Sequence, residues 1–277
     1  MRIGIGLPAH APGMTARRAA DWARAAEEDG FSTLGVTDRV AYANCDPLVA
    51  LAAAAARTSR IRLATTVLLA AARGDAVPLA KQAASLAALT AGRFVLGVAA
   101  GGRADDYELC GVPYRERGRR LDAMLGRMNE VWSGDVVGPR ARPTVIVGGH
   151  SPAAMRRAAR FGAGWIGGGT SATGYAELAA RARTAWAGED RTDRPWLMGQ
   201  LYFALGPEAD VRAARYLHDY FAFAGEWAKV VARQALTSPA AIRAKVAEYA
   251  DAGCDELILM PCAAGTEQVH RLADVTC

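Results

Sequence analysis

The chain alternates short, continuously apolar runs with longer amphipathic segments rich in alanine. Runs that are apolar at every position, rather than at every second one, are typical of strands covered on both faces. They predict strands over Ile3–Leu7, Thr33–Thr37, Ile61–Val67, Arg93–Val98, Thr144–Val147, Gly164–Gly167, Leu197–Leu205 and Glu256–Met260. The segments between them predict helices over Thr15–Glu28, Pro47–Arg57, Leu79–Leu89, Arg115–Val131, Pro152–Arg160, Gly174–Ala187, Glu208–Gln234 with a break, Pro239–Ala250 and Glu267–Ala273.

A local pattern of alanine-rich helix, glycine and buried strand occurs three times, around Gly30, Gly162 and Gly253. Glycine just after a helix favours a left-handed cap, because it has no Cβ, so the pattern predicts three helix-to-strand loops. Strands that each precede a helix predict an α/β fold, a (β/α)8 TIM barrel formed as one domain over residues 1–277. The runner-up is an open doubly wound sheet. The first strand is followed by LPAHAPGM, which lacks the glycine fingerprint of a dinucleotide-binding half.

Charge and cysteine content exclude several classes of protein. The net charge is +5, but the basic residues are mostly arginines spread along the chain, whereas nucleic-acid-binding proteins cluster them with aromatic side chains. The five cysteines include no CxxC pair, so no zinc site or disulfide framework is predicted. The longest uncharged apolar stretch, Leu63–Ala72, is about half a membrane span. We therefore expect a soluble, cytoplasmic protein with no metal, no nucleic-acid partner and no membrane partner.

Polar side chains follow the first two predicted strands. His10 follows the first strand, and Asp38, Arg39 and Tyr42 follow the second. The active site of a barrel is formed by the loops that follow its strands, so these four are the candidate catalytic or orienting groups. Their residue types fit an acid, a base or a group that orients the substrate, and the sequence does not choose among these roles.

Glycine-rich loops follow the fifth and sixth strands. In VIVGGHSPAA, the residue after GGH is a good helix N-cap and is followed by proline, so backbone N–H groups there favour an anion. The two loops predict a phosphate cradle, against the simpler interpretation of two tight turns with an ordinary cap. The candidate residues are Gly148, Gly149, His150, Ser151, Gly167, Gly168, Gly169 and Thr170. Small residues at Ala99, Ala100 and Gly101 would let a flat ring lie against the backbone.

Several ordered segments together resemble one family. They are AEEDGFSTLGVTDR, DPLVALAAAAARTSRIRLATTV, PLAKQAASLAALTAGRFVLGVAAGG and VIVGGHSPAAMRRAARFGAGW, with AEYADAGCDELILMP resembling a last repeat. They resemble the luciferase-like monooxygenases, which are flavin- or deazaflavin-dependent (β/α)8 oxidoreductases. The resemblance implies a cofactor phosphate on the loops Gly148–Ser151 and Gly167–Thr170. It also implies an isoalloxazine-type ring near Thr65, Thr66, Val67 and Ala99–Gly101, with a non-prolyl cis peptide at Thr66–Val67. The general rule for barrels would instead place the phosphate after strands seven and eight.

The chain departs from the family pattern at two positions. Many relatives have Asp-His after the second strand, where this chain has Asp38-Arg39, so sugar-phosphate dehydrogenase activity is not expected. An arginine that binds the flavin phosphate in bacterial luciferases is replaced by Ala100, with Arg103 as the candidate substitute. Asp38 and Arg39 are expected either to pair with each other and orient the Tyr42 loop, or to present Arg39 to an anionic or carbonyl group of the substrate.

The predicted function is that of an oxidoreductase or monooxygenase using reduced FMN and oxygen on a small organic substrate. The alternative is hydride transfer with coenzyme F420. Two further classes stay open: a non-catalytic flavin-binding barrel subunit, and a phosphate-binding barrel enzyme without redox chemistry. A flavin or F420 reductase is the expected cofactor supplier. A homodimer is expected through alanine-rich helices such as Pro47–Arg57.

Overall fold

Eight parallel strands close into a barrel in the order of the chain, with β1 hydrogen-bonded to both β2 and β8. The computed structural model describes residues 1–10, 14–135, 137–189 and 191–276, without the side chains of 224, 227 and 230. The strands are β1 Arg2–Gly6, β2 Thr33–Val36, β3 Arg62–Thr65, β4 Phe94–Val98, β5 Thr144–Gly148, β6 Gly164–Gly168, β7 Trp196–Phe203 and β8 Glu256–Pro261. The predicted barrel is confirmed, and the open-sheet alternative is excluded.

Helices surround the barrel, and each strand is followed by at least one of them. They are α1 Ala16–Glu28, α2 Pro47–Ala55, α3 Ala76–Leu89, α4 Ala104–Leu109, α5 Arg117–Ser133, α6 Pro152–Phe161, α7 Ala172–Ala187, α8 Ala209–Tyr220, α9 Glu226–Arg233, α10 Pro239–Asp251 and α11 Glu267–Thr276. Six of these begin at a Ser, Thr or Asp side chain that accepts a backbone N–H of the first turn. Among the described residues, no helix is both long enough and apolar enough to cross a membrane.

Alternate residues of each strand face opposite sides of the barrel wall. One buried cluster includes Ala64, Val95, Ile146, Ile166, Met198 and Ile258, each from a different strand, and it fills the barrel interior. Their neighbours along the strands belong to a larger cluster formed with the helices. The interior is thus packed below the carboxyl ends of the strands, and any ligand must bind above it, among the loops.

Two of the three predicted left-handed caps are confirmed. Gly30 has φ +87° and Gly253 has φ +79°. The third prediction is wrong, because Gly162 has an extended φ of −104°. Glycine fits there for a different reason: a Cβ at Gly162 would lie 2.9 Å from the Ala158 carbonyl oxygen and 3.1 Å from the Gly164 carbonyl oxygen.

The segment after β7 departs most from a simple strand-and-helix unit. The predicted broken helix is α8, a 3-10 turn over Ala222–Ala224, and α9. The side chains of Tyr216 and Phe221 from this segment pack on Tyr202 of β7, with ring centroids 6.1 and 5.8 Å away. This segment therefore lies over the carboxyl end of the barrel.

Candidate active site

The ends of β3 and β4 approach each other unusually closely at the barrel rim. The Thr66–Val67 peptide is cis, as the resemblance implied. Just before it, the Thr65 hydroxyl donates to the Gly97 carbonyl at 2.7 Å, and the Leu68 amide donates to the same oxygen at 2.8 Å. A Cβ at Gly97 would lie only 2.0 Å from the Thr65 carbonyl oxygen. Glycine at this position therefore lets β3 turn across the end of β4.

A cavity of 210 Å³ opens beside this turn. Thr66, Val67, Asp38, Arg39 and Gln200 are among the residues that line it. Two of its buried oxygen atoms, Thr66 Oγ1 and Gln200 Oε1, have no hydrogen-bond partner among the described residues. Buried polar atoms in folded proteins are nearly always hydrogen-bonded to protein, water or ligand, so this pair is free to bind a ligand that enters the cavity.

The loop after β4 is fixed by contacts to its carbonyl groups. The Tyr107 hydroxyl donates to the Ala100 carbonyl at 2.5 Å, and Arg117 Nε donates to the Gly101 carbonyl at 3.1 Å. Gly101 has φ +68°, and a Cβ there would lie 2.7 Å from a methyl carbon of Leu69. The small residues predicted to accommodate a ring are thus held in one conformation beside the cavity.

Asp38 and Arg39 are both ion-paired, but not with each other, so the expected Asp38–Arg39 pair is wrong. Asp38 is buried and faces the loop after β3, where Arg73 binds its two oxygens at 2.7 and 3.1 Å. The Leu69 amide donates to the same carboxylate at 2.9 Å. Asp38 therefore clamps the loop after β2 to the loop after β3. Adjacent residues of an extended segment point in opposite directions, which is why the neighbours do not meet.

Arg39 instead pairs with Asp106 of α4, and both side chains are buried. Arg39 Nε lies 3.2 Å from the Asp106 carboxylate, and its Nη1 and Nη2 donate to the Tyr220 and Ala41 carbonyls, each at 3.2 Å. Asp106 also accepts the Val40 and Ala41 amides at 2.8 and 2.7 Å. Every nitrogen of the Arg39 guanidinium is therefore engaged, which favours a positioning role over a direct contact with substrate.

The residues Tyr216, Tyr220, Phe221 and Phe223, here called the aromatic lid, cover the mouth. Arg39 and Arg103 both donate to the Tyr220 carbonyl, at 3.2 and 3.4 Å. Arg103 also lies over the Phe223 ring at 3.9 Å and binds Asp105. Arg103, the candidate phosphate ligand, is thus bound to the lid and to Asp105 of the adjacent helix α4. These contacts do not favour a role in binding phosphate.

His10 and Tyr42 lie on the other side of the lid, in a second cavity of 1040 Å³. The His10 ring stacks on Tyr216 with centroids 4.0 Å apart and an interplanar angle of 24°. Burial lowers the pKa of His10 from 6.5 to about 4, so its imidazole is neutral near pH 7. Tyr42 donates its hydroxyl to Asp219 of α8. Burial and this carboxylate raise the pKa of Tyr42, which keeps the phenol neutral as well.

The two glycine-rich loops end neighbouring strands, β5 and β6. Ser151 and Ser171 are N-caps of α6 and α7. Trp165 and Tyr249 donate to the Gly149 and Thr170 carbonyls, each at 2.8 Å. Thr170 Oγ1 is buried and has no partner among the described residues, and burial lowers the pKa of His150, whose own hydrogen bond to Gly168 opposes that shift.

The structure therefore groups the predicted residues in three places. Asp38, Arg39, Thr66 and Val67 line the small cavity, His10 and Tyr42 line the large one, and the glycine loops form a third patch on β5 and β6. Sequence analysis missed Arg73, Asp106, Gln200 and Tyr220 as parts of the site. Gln200 carried a usable signal, because it is the single amide in an otherwise apolar strand. Among the described residues, no group of three or more His, Cys, Asp or Glu side chains could hold a metal ion.

The profile of one family, the luciferase-like monooxygenases, matches residues 1–272. The chain belongs to this family. An uncharacterised protein of Mycobacterium tuberculosis is 33% identical over 199 residues, a match that covers 58% of this chain and 68% of that protein. A protein named F420-dependent glucose-6-phosphate dehydrogenase, from Nakamurella multipartita, is 30% identical over 189 residues, covering 59% of this chain and 56% of its own length.

Solved structures of luciferase-like folds superpose over nearly the whole chain. An F420-dependent secondary alcohol dehydrogenase, solved with an F420-acetone adduct, has a TM-score of 0.85 at 13% identity, covering 99% of this chain and 98% of that one. The monooxygenase RslO1 of Streptomyces bottropensis has a TM-score of 0.78 at 20% identity, covering 99% and 97%. These similarities show a common fold. The chain is thus a luciferase-like oxidoreductase, and proteins of this family use FMN or F420.

Proposed function

We propose that this luciferase-like protein binds coenzyme F420 and transfers hydride between it and a small organic substrate. Reduced FMN acting with oxygen is the second candidate, favoured by the description of the family that matches residues 1–272. The observation that carries the proposal is the cavity beside the cis Thr66–Val67 peptide, with its two unpartnered buried oxygens.

The residues present fit a flat, polar-edged ring. Thr66 Oγ1 can donate to a ring carbonyl or accept from a ring N–H, and Gln200 Oε1 can accept from a ring N–H. The side chains of Val67 and Leu69 supply apolar contact, whereas Ala99, Ala100 and Gly101 are not among the residues that line the cavity. At the other patch, Thr170 Oγ1 and the backbone at the start of α6 fit a phosphate.

The small cavity is below the range of about 300–1,000 Å³ that is usual for ligand sites. The aromatic lid forms part of its wall through Tyr220, Phe221 and Phe223. Phe223 is 46% exposed, and a lid held by carbonyl and ring contacts can shift without breaking a buried ion pair. We therefore expect the aromatic lid to move outward when the ring enters.

The cofactor would supply a carbon that accepts or releases hydride. The protein holds the ring through Thr66 and Gln200, excludes water with the aromatic lid, and fixes the surrounding loops through Asp38 and Asp106. A hydroxyl that is oxidised must also lose its proton. His10 is the acceptor we propose, because Arg39 is fully engaged and the Tyr42 hydroxyl donates to Asp219. Its imidazole is neutral but only weakly basic, and it lines the neighbouring large cavity, so it can act only on a substrate that reaches the ring from that side once the aromatic lid has moved.

The choice of F420 over FMN rests on the named relatives. The relative from Nakamurella multipartita that shares 30% identity over its match is named for F420. The position that departs from that group, Arg39, is bound to Asp106 and is not available as a proton carrier. We therefore propose a dehydrogenase or reductase acting on a substrate other than a sugar phosphate.

Measuring the affinity for each cofactor distinguishes the F420 candidate from the FMN candidate, and the substrate need not be known. The purified protein is titrated with F420 and with FMN, and fluorescence of the ring reports binding. We expect F420 to bind more tightly than FMN, and Thr66→Val/Gln200→Leu to weaken F420 binding by about tenfold or more, since each lost hydrogen bond costs about 0.5–1.5 kcal/mol. Thr184→Val, on the outer face of α7, is the matched control and should not change affinity.

FMN binding in the absence of F420 binding would favour the second candidate. If neither ring binds, the redox assignment fails and a phosphate-binding barrel enzyme becomes the better interpretation. Tight ring binding that the double variant leaves unchanged would show that the ring lies elsewhere than beside Thr66.

A further inference from the structure

Two positively charged side chains line the large cavity. Its volume is 1040 Å³, and it lies between the ends of β1, β2 and β8 on one side and helix α8 on the other. Arg212 and Arg215 line it from α8, one turn apart on the same helix face. Among the described residues, neither guanidinium is paired with a carboxylate.

This lack of carboxylate partners contrasts with three arginines that line the small cavity or the loops beside it. Arg39, Arg73 and Arg103 each contact at least one carboxylate within 4 Å. Of the described residues that line the large cavity, Asp219 is the one acid, and it accepts the Tyr42 hydroxyl; the Glu267 carboxylate lies next to the lining residue Gly265. The charged side chains of the cavity wall therefore leave a net positive charge, and an anion there would meet two cations without displacing an existing pair.

Beside these two arginines the cavity has a flat aromatic surface. The stacked rings of His10 and of Tyr216, which is itself on α8, form this surface, and the buried side chain of Cys262 also lines the cavity. His10 adds no positive charge there, because burial lowers its pKa to about 4. A ligand that matches these features combines an anionic end, toward Arg212 and Arg215, with a flat apolar body against His10 and Tyr216.

We propose that the large cavity binds an organic carboxylate with a flat apolar body, and that this compound is the substrate. Arginine suits a carboxylate because its planar fork donates two parallel hydrogen bonds, and two arginines one turn apart can hold both oxygens. The substrate assignment rests on the proposed redox function, whereas the carboxylate site rests on the cavity alone. The acidic tail of F420 is the other group whose carboxylates Arg212 and Arg215 could bind.

The carboxylate site is tested without cofactor. Isothermal titration measures the binding of 2-naphthoate and of its neutral counterpart, 2-naphthamide, to the wild type and to Arg212→Met/Arg215→Met. A control variant, Arg181→Met/Arg243→Met, removes the same charge from exposed positions on α7 and α10. We expect the Arg212/Arg215 change to weaken 2-naphthoate binding at least about tenfold, while 2-naphthamide binding and the control variant stay at wild-type affinity.

The aromatic wall is tested separately with Tyr216→Leu, which should weaken both probes to a similar extent. Equal binding of 2-naphthoate to the wild type and to the Arg212/Arg215 variant would overturn the site, as would an equal loss in the control variant. Wild-type protein that binds F420 but not 2-naphthoate would overturn this inference and leave the proposed function standing. Binding of 2-naphthoate without F420 or FMN binding would reject the proposed cofactor and keep the carboxylate site.

The two sources of a carboxylate are distinguished by titrating F420 and a deazaflavin that lacks the acidic tail. We expect the Arg212/Arg215 change to leave the affinity for both compounds unchanged. A selective loss of affinity for F420 would show that the cavity serves the cofactor tail, and would overturn the substrate assignment.

Discussion

The buried carboxylate of Asp106 joins α4 to the loop after β2, so its removal should be costly. It pairs with Arg39 at 3.2 Å and accepts the Val40 and Ala41 amides at 2.8 and 2.7 Å. Its side chain is 1% exposed and that of Arg39 is 5% exposed. In Asp106→Ala, the guanidinium would stay buried with carbonyl partners and the more exposed Asp105 3.7 Å away.

Breaking a buried pair by removing one partner costs about 3–5 kcal/mol, because the other charge is left uncompensated. We expect Asp106→Ala to lower the free energy of unfolding by this amount. The unfolding entropy of about 2.1 cal/mol/K per residue gives about 0.6 kcal/mol/K for a chain of 277 residues, so Tm should fall by about 5–9 °C. In Arg39→Met/Asp106→Ala the buried charge is gone, and this double variant should be more stable than the single one by about 1–3 kcal/mol.

Urea unfolding followed by circular dichroism measures these differences. Asp105→Ala is the matched control, since that neighbouring side chain is 44% exposed and should cost no more than about 1 kcal/mol. Two results would refute the argument that Arg39 depends on this partner. One is a decrease in the free energy of unfolding of less than about 1 kcal/mol for Asp106→Ala, and the other is an additive decrease in the double variant, which would show that the two residues are not coupled.

Three further predictions follow from other parts of the molecule. Gly149 has φ +125°, and a Cβ there would lie 2.9 Å from the Cβ of Ala154, so both Gly149→Ala and Gly149→Asp should lower Tm. The Asp variant should bind F420 more weakly than the Ala variant, because it adds a negative charge, and equal affinities would show that the phosphate does not bind at this loop. Because the pKa of His10 is lowered from 6.5 to about 4, the unfolded state binds more protons, and unfolding free energy should fall by roughly 3 kcal/mol as pH drops from 6.5 to 4; His10→Phe should flatten that slope, and an unchanged slope would contradict the burial argument. Val49 on α2 is 68% exposed, so if the expected homodimer forms through this helix, light scattering should show a dimer that Val49→Glu converts to a monomer, whereas a monomeric wild type would end the prediction.

The barrel and the order of its elements were readable from local patterns. Continuously apolar runs identify strands buried on both faces, and cap residues such as Asp46, Ser151 and Ser238 mark helix starts through a hydrogen bond made within one turn. Gly30 and Gly253 are likewise required by the local backbone, which has a positive φ at both positions. Gly162 shows the limit of such reasoning, because the need for glycine there comes from carbonyl groups packed around it.

The partners of the charged residues at the mouth were decided only by the tertiary structure. Asp38 and Arg39 are adjacent in sequence, yet their partners are Arg73 and Asp106, which lie 35 and 67 positions away. Gln200 enters the small cavity because β7 closes the barrel opposite β3, and Tyr220 joins it because α8 folds back over the rim. Sequence periodicity reports which face of an element is buried, whereas ion pairs at a barrel mouth depend on which loops the closed sheet brings together, and that information is carried by the whole chain.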